Sequence, residues 1–158
     1  MKPCWLVVAL VLTGCGAHGA YSQFGPDVKA CKAGQAARCL SAGQSLARET
    51  DTQKRNAGIR YLKLACDNGL KRGCKEAVEL LDKGTQTPLT AKLRLTLLRR
   101  GCFLEEGTAC LALGRHFKSD RARAVQLFAR GCRAGNLDAC QQGAELKRVN
   151  DAMPKSRQ

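Results

Sequence analysis

Eight cysteines of this 158-residue chain fall into four pairs with one internal spacing: Cys31/Cys39, Cys66/Cys74, Cys102/Cys110 and Cys132/Cys140, each with seven residues between partners. The first members follow one another at intervals of 35, 36 and 30 residues. Recurrence at this period marks a repeat array, whose units bury their apolar faces only against their neighbours. A small residue precedes every first cysteine: Ala30, Ala65, Gly101 and Gly131. Three residues after it stand Gly34, Gly69 and Gly135, whereas the third unit has Glu105 there and Gly107 two residues later. One structural unit is expected to be used about four times.

Cys4 and Cys15 lie outside the array. Lys2 is soon followed by an apolar run from Trp5 to Leu12, then Thr13-Gly14-Cys15. A charged start, a short apolar core and small residues before a cut form a secretory signal, too short for a spanning helix. The tetrapeptide Leu12 to Cys15 resembles the bacterial lipobox, which implies cleavage before Cys15, diacylation of its thiol and acylation of the new α-amino group. An ordinary signal with an incidental cysteine is the alternative. Residues 1–14 are read as the signal, 15–26 as lipidated cysteine and tether, 27–149 as the repeat domain, and 150–158 as a disordered tail.

Export explains the remaining cysteines. In an oxidising compartment, even numbers of cysteines at fixed spacing read as a disulfide framework. The two-residue spacing of zinc ribbons is missing, and His18 and His116 are the only imidazoles. No metal and no cofactor is expected. Eight cysteines allow about 105 connectivities, but identical units should each close their own short loop. The expected bridges are Cys31–Cys39, Cys66–Cys74, Cys102–Cys110 and Cys132–Cys140.

A helical pattern runs into each first cysteine, as in Arg121 to Arg130, where Ser119 or Asp120 can cap the start and Gly135 can end the helix in the left-handed conformation. The next helix opens at Asn136 and carries Cys140 in its first turns, so the thiols meet across a tight helix–helix turn. Helices are expected at about 27–33, 37–48, 54–67, 71–82, 88–103, 107–117, 120–133 and 137–149, with Thr87 capping and Pro88 opening the fifth. No segment alternates as strands require. Low aromatic content, 4%, suits helix pairs packed through Ala, Gly and Leu. The predicted fold is all-α.

The pattern Ala/Gly-Cys-x-x-Gly-x-x-x-x-Cys at this period resembles the Sel-one-like repeat, and more narrowly the cysteine-rich secreted proteins of the Helicobacter cysteine-rich protein type. Cys110-Leu111-Ala112-Leu113-Gly114 matches the cysteine followed by a Leu-Gly pair; Ala42-Gly43, Ala77-Val78 and Gly143-Ala144 match it weakly. The aromatic pair of the second helix survives as Leu127-Phe128. The resemblance covers roughly residues 27–149. It implies a short tetratricopeptide-like α/α solenoid, one disulfide across each helix turn, and usually a role as an adaptor.

The chain carries a formal net charge of +14, with basic residues in nearly every helix. Such a field attracts anionic partners, which in a cell envelope are phospholipid or lipopolysaccharide head groups, or an acidic protein. The plainer and leading reading of the charge is a solvated surface with some arginines packed along their stems. Nucleic acid is not expected, because export removes the protein from it and interleaved stacking aromatics are missing.

Members of the resembled family have been linked to penicillin binding and β-lactam hydrolysis, which makes such a hydrolase an alternative function. Serine enzymes of that kind need a serine three residues before a lysine. Ser22, Ser41, Ser45 and Ser119 are followed at that distance by Gly25, Gln44, Arg48 and Ala122, and Ser156 lies too near the end. His116 has only oxidised Cys110 near it in sequence, and Glu105-Glu106 need not share a site. No catalytic residue is assigned. The leading expectation is an envelope protein, anchored by lipid at the outer membrane facing the periplasm, that binds a protein or peptide partner. A structural or immunity-type envelope protein is a further alternative. Binding residues are sought on the inner face formed by the first helix of each pair, at the positions after Cys39, Cys74, Cys110 and Cys140, with Lys75 and Arg115 as nominees.

Overall fold

The structure, a computed structural model, describes residues 25–152. The signal segment, Cys15, most of the tether and the last six residues lie outside the described residues. Among the described residues eight α-helices follow one another: α1 (Gly25–Lys32), α2 (Ala36–Ala47), α3 (Thr52–Asp67), α4 (Lys71–Lys83), α5 (Pro88–Phe103), α6 (Gly107–His116), α7 (Arg121–Arg133) and α8 (Leu137–Asp151). No strand occurs among the described residues. Each helix packs on its neighbours in sequence, while α1 also meets α3, α3 meets α5, α2 meets α4 and α6 meets α8. Odd and even helices therefore form two layers, as a stacked array of helical hairpins requires.

Two boundaries differ from expectation. Gly25 and Pro26 belong to α1 rather than to the tether, since proline in a first turn has no intrahelical N–H bond to lose. Asn150 and Asp151 belong to α8 rather than to the tail, and the Ala152 N–H closes that helix on the Arg148 carbonyl at 3.0 Å.

The helix starts are capped largely where the sequence offers acceptors. The side chains of Asp51, Asp120 and Asn136 accept from the backbone N–H groups of Lys54, Arg123 and Ala139. At Thr87 the bond is reciprocal with Thr90, and Pro88 follows directly. Asp120, not Ser119, caps α7.

One turn is used four times. In the second unit Gly69 donates to the Cys66 carbonyl at 3.0 Å and Leu70 to the Ala65 carbonyl at 2.9 Å. The same pair of bonds recurs after Cys31, Cys102 and Cys132. This is the Schellman closure, which needs one residue in the left-handed region. Gly34, Gly69 and Gly135 supply it at φ 87°, 93° and 86°, and Glu105 adopts φ 59° in the same role. The third unit therefore departs in sequence but not in backbone.

The turn brings each cysteine pair together. All four expected disulfides are formed, with Cα–Cα distances of 4.6, 4.7, 4.6 and 4.5 Å. Beside three of them, the residues preceding the two cysteines touch. A Cβ added at Gly73 would lie 2.7 Å from the Ala65 Cβ, one at Gly101 3.0 Å from Ala109, and one at Gly131 2.8 Å from Ala139. One glycine and one alanine at each crossing let the backbones approach closely enough for the bridge.

The core is a row of small clusters. Cys31, Cys39 and Ala65 begin it; Ile59, Leu62, Ala77, Leu81 and Leu97 follow. Leu98, Ala109 and Leu113 form the next, then Leu111, Ala124, Phe128 and Ala139. Among the described residues no polar or charged residue is buried. Each cluster is contributed by successive helices, so the apolar burial that stabilises one unit depends on the next.

Candidate functional site

The even helices carry the candidate site. Three grooves open along their layer, each floored or walled by one odd helix and bounded by the two even helices beside it. The first involves Gln44 and Ala47 of α2 with Arg48 just past its end, Leu62 of α3, and Arg72, Glu76, Glu79, Leu80 and Lys83 of α4. The middle one involves Lys75, Val78, Glu79 and Asp82 of α4, Arg94 and Leu98 of α5, and Thr108 and Ala112 of α6. The third joins Arg115 of α6, Lys118, Arg121 and Phe128 of α7 and its approach, and Gln142, Glu145, Leu146 and Val149 of α8.

These are one groove repeated. Counted from the second cysteine of each unit, Gln44, Glu79 and Arg115 occupy the same position. So do Ala47, Asp82 and Lys118, while Leu62, Leu98 and Phe128 stand four residues before the next first cysteine. The repeat fixes the backbone of each groove and leaves its polar side chains free to differ.

Hydrogen bonds across the grooves follow the same register. In the first, the Gln44 amide donates to the Glu76 carboxylate at 2.8 Å, which also accepts from Arg72 Nε at 2.7 Å. In the third, Arg115 Nε donates to Gln142 Oε1 at 3.1 Å, joining the equivalent positions. Ala112 stands at that place in the middle groove, and Arg94 instead binds both carboxylate oxygens of Asp82, at 2.5 and 3.2 Å.

Lys75 and Arg115 both border this layer, in different grooves. Lys75 is half exposed and lies 4.0 Å from Glu79 one turn on. The positions directly after the second cysteines do not behave alike. Leu111 is buried, 6% exposed, and Leu40 is partly buried. That position points toward the following helices, so an apolar side chain there joins the core. Lys75 reaches solvent through the middle groove, and Gln141 is exposed. Exposure thus differs among these four positions, and the three grooves are lined in common two, five and eight residues after the second cysteine.

The other chemical candidates have structural explanations. Glu106 is the N-cap of α6 and accepts from the Thr108 and Ala109 N–H groups, while Glu105 occupies the left-handed turn before it. His116 stacks edge-on against Phe117 with ring centroids 4.8 Å apart. Ser41 donates to Asp27. Among the described residues no group of three or more His, Cys, Asp or Glu is placed to hold a metal ion. No described helix is long and apolar enough to cross a membrane.

Fold and grooves together define an all-α helical-hairpin repeat protein stapled by a disulfide at each turn. No protein-family model, curated protein or solved structure matches the chain. The four disulfides point to an oxidising, extracytoplasmic environment.

Proposed function

We propose that the chain is an envelope protein whose even-helix face is a protein–protein interaction surface, held at a membrane by lipid on Cys15. The observation that carries the binding reading is the recurrence of one groove with different polar side chains at equivalent positions. A rigid framework with variable exposed positions is how stacked repeats present an extended recognition surface. The lipid anchor is supported by the apolar run ending in Leu12 to Cys15 and agrees with an oxidising compartment. The resemblance to secreted cysteine-rich Sel-one-like repeat proteins supports an adaptor role, with the outer membrane facing the periplasm as the location.

The test is capture from solubilised envelopes by the disulfide-intact chain. Reversing Lys75 and Arg115 to Glu is expected to reduce recovery of a dominant partner, while reversing Arg99 and Arg133 on odd helices leaves it unchanged. Equal loss from both would contradict a defined binding face. The same chain is expected to leave a chromogenic β-lactam intact over hours. Turnover that persists through further purification would replace the binding reading with a hydrolytic one.

A further inference from the structure

The three grooves share a framework but not a charge. The first sets Arg48, Arg72 and Lys83 against Glu76 and Glu79. The middle sets Lys75 and Arg94 against Glu79, Asp82 and Glu106. Among the described residues the third carries Arg115 and Lys118, beside Arg121, with Glu145 as its single acid, and Glu145 already accepts from Arg148. Positive charge is thus concentrated in one interval of the array.

That interval is also the roomiest of the three. Its volume is about 740 Å³, against about 380 and 240 Å³ for the first and middle grooves. Phe128 lies at its base, 3% exposed, and Leu146 and Val149 form the α8 wall, Val149 remaining 39% exposed. In the first groove Leu80 and Lys83 take the places of Leu146 and Val149. The third interval therefore offers an open apolar wall where its equivalent presents a charge. The Lys118 side chain has no hydrogen bond or ion pair among the described residues.

We propose that the third groove anchors an acidic peptide segment bearing one bulky apolar side chain. The apolar group packs against Leu146 and Val149, and flanking carboxylates pair with Arg115 and Lys118. This deepens the interaction-module reading and rests on it. Guanidinium and ammonium groups above an apolar wall bind carboxylates more strongly than the same groups in open water, because the seated apolar group excludes solvent. The net charge of +14 raises the encounter rate with such a segment, and the effect weakens with salt. A membrane is a plane of head groups, whereas a trench between α6 and α8 accommodates an extended chain.

The test is panning of a random dodecapeptide display library on the disulfide-intact chain. Enriched peptides are expected to combine at least two acids with a large apolar residue. Their affinity should fall by about tenfold or more in Arg115→Glu/Lys118→Glu, and also in the single Lys118→Glu, whose side chain makes no hydrogen bond or ion pair among the described residues. Reversal at Arg99 and Arg133 should leave affinity unchanged, and thermal midpoints should match throughout. Enriched peptides without acidic bias, or acidic peptides whose binding survives both variants, would overturn this site while leaving the module reading intact. Failure to enrich any peptide would overturn both. Vesicles of phosphatidylglycerol form a second arm: if Lys118→Glu abolishes vesicle binding and leaves peptide binding unchanged, the groove serves a lipid surface and the peptide proposal falls.

Discussion

Arg130 donates from its guanidinium to the backbone carbonyl of Phe103 at 3.1 Å, tying α7 to the C-terminal end of α5. One repeat earlier Arg100 makes the same bond to the Asp67 carbonyl at 3.0 Å. A cation at the unsatisfied carbonyls of a helix end is favoured by the hydrogen bond and by the helix dipole. Phe103 adds a ring between the two guanidinium groups, at 5.3 Å from Arg100 and 6.0 Å from Arg130. Part of the positive charge is therefore structural and serves the stacking of repeats.

Replacing Arg130 by Met, which keeps the apolar stem, is expected to cost about 1 kcal/mol in denaturant unfolding. At the first junction Leu64 stands where the arginines stand later, so α1 lacks this tie. Amide hydrogen exchange should find α1 the least protected of the eight helices. Protection in α1 equal to that in α7 would remove the stacking role assigned to the arginines.

Gly114 tests the closest approach in the third groove. A Cβ there would lie 2.4 Å from the Phe128 ring, which is itself buried. Gly114→Ala is expected to lower stability by about 1–3 kcal/mol, because the ring must leave its rotamer or the helices must part. Thermal or denaturant melts of the single variant measure this directly.

Glu105 and Gly135 occupy equivalent left-handed turn positions and should respond in opposite directions. Gly135→Ala imposes a Cβ on φ 86° with no neighbour within 4 Å, so its cost is conformational, about 1 kcal/mol. Glu105→Gly relieves the same strain and is expected to stabilise by up to about 1 kcal/mol. Paired unfolding curves check the signs; destabilisation by Glu105→Gly would mean the glutamate side chain holds the turn by other contacts.

Each bridge closes a local loop, for which loop-closure entropy gives roughly 2.6 kcal/mol at about nine residues. Cys66→Ala/Cys74→Ala should therefore raise hydrogen exchange in α3 and α4, and in their immediate neighbours, before α7 and α8. Non-reducing peptide mapping of the native chain should recover the four short-range pairs. A long-range pair such as Cys31 with Cys140 would rule out the stack.

The cysteine register made the fold legible, because it is set by covalent geometry and needs no tertiary knowledge. Caps such as Thr87-Pro88 and Asp120 were legible for a similar reason: their effect is local. Two features were not. Glu105 hides a glycine-like conformation, since the disulfide and the flanking helices hold the turn whatever residue occupies it. The groove positions escaped because choosing a face requires knowing which helices stack. The small residues Gly73, Ala109 and Ala139, each just before a second cysteine, were the available signal for that crossing. Alignment by the second cysteine then places Gln44, Glu79 and Arg115 in register, which sequence spacing alone could have offered.

The central claim is that a partner lies along the even-helix layer. A photo-crosslinking amino acid placed singly at Gln44, Glu79 and Arg115, and at Arg99 and Arg133 on odd helices, tests it in intact envelopes. One shared crosslinked partner is expected from the three even-helix positions and none of that species from Arg99 or Arg133. The same partner captured equally from the odd-helix positions, or captured from them alone, would contradict it.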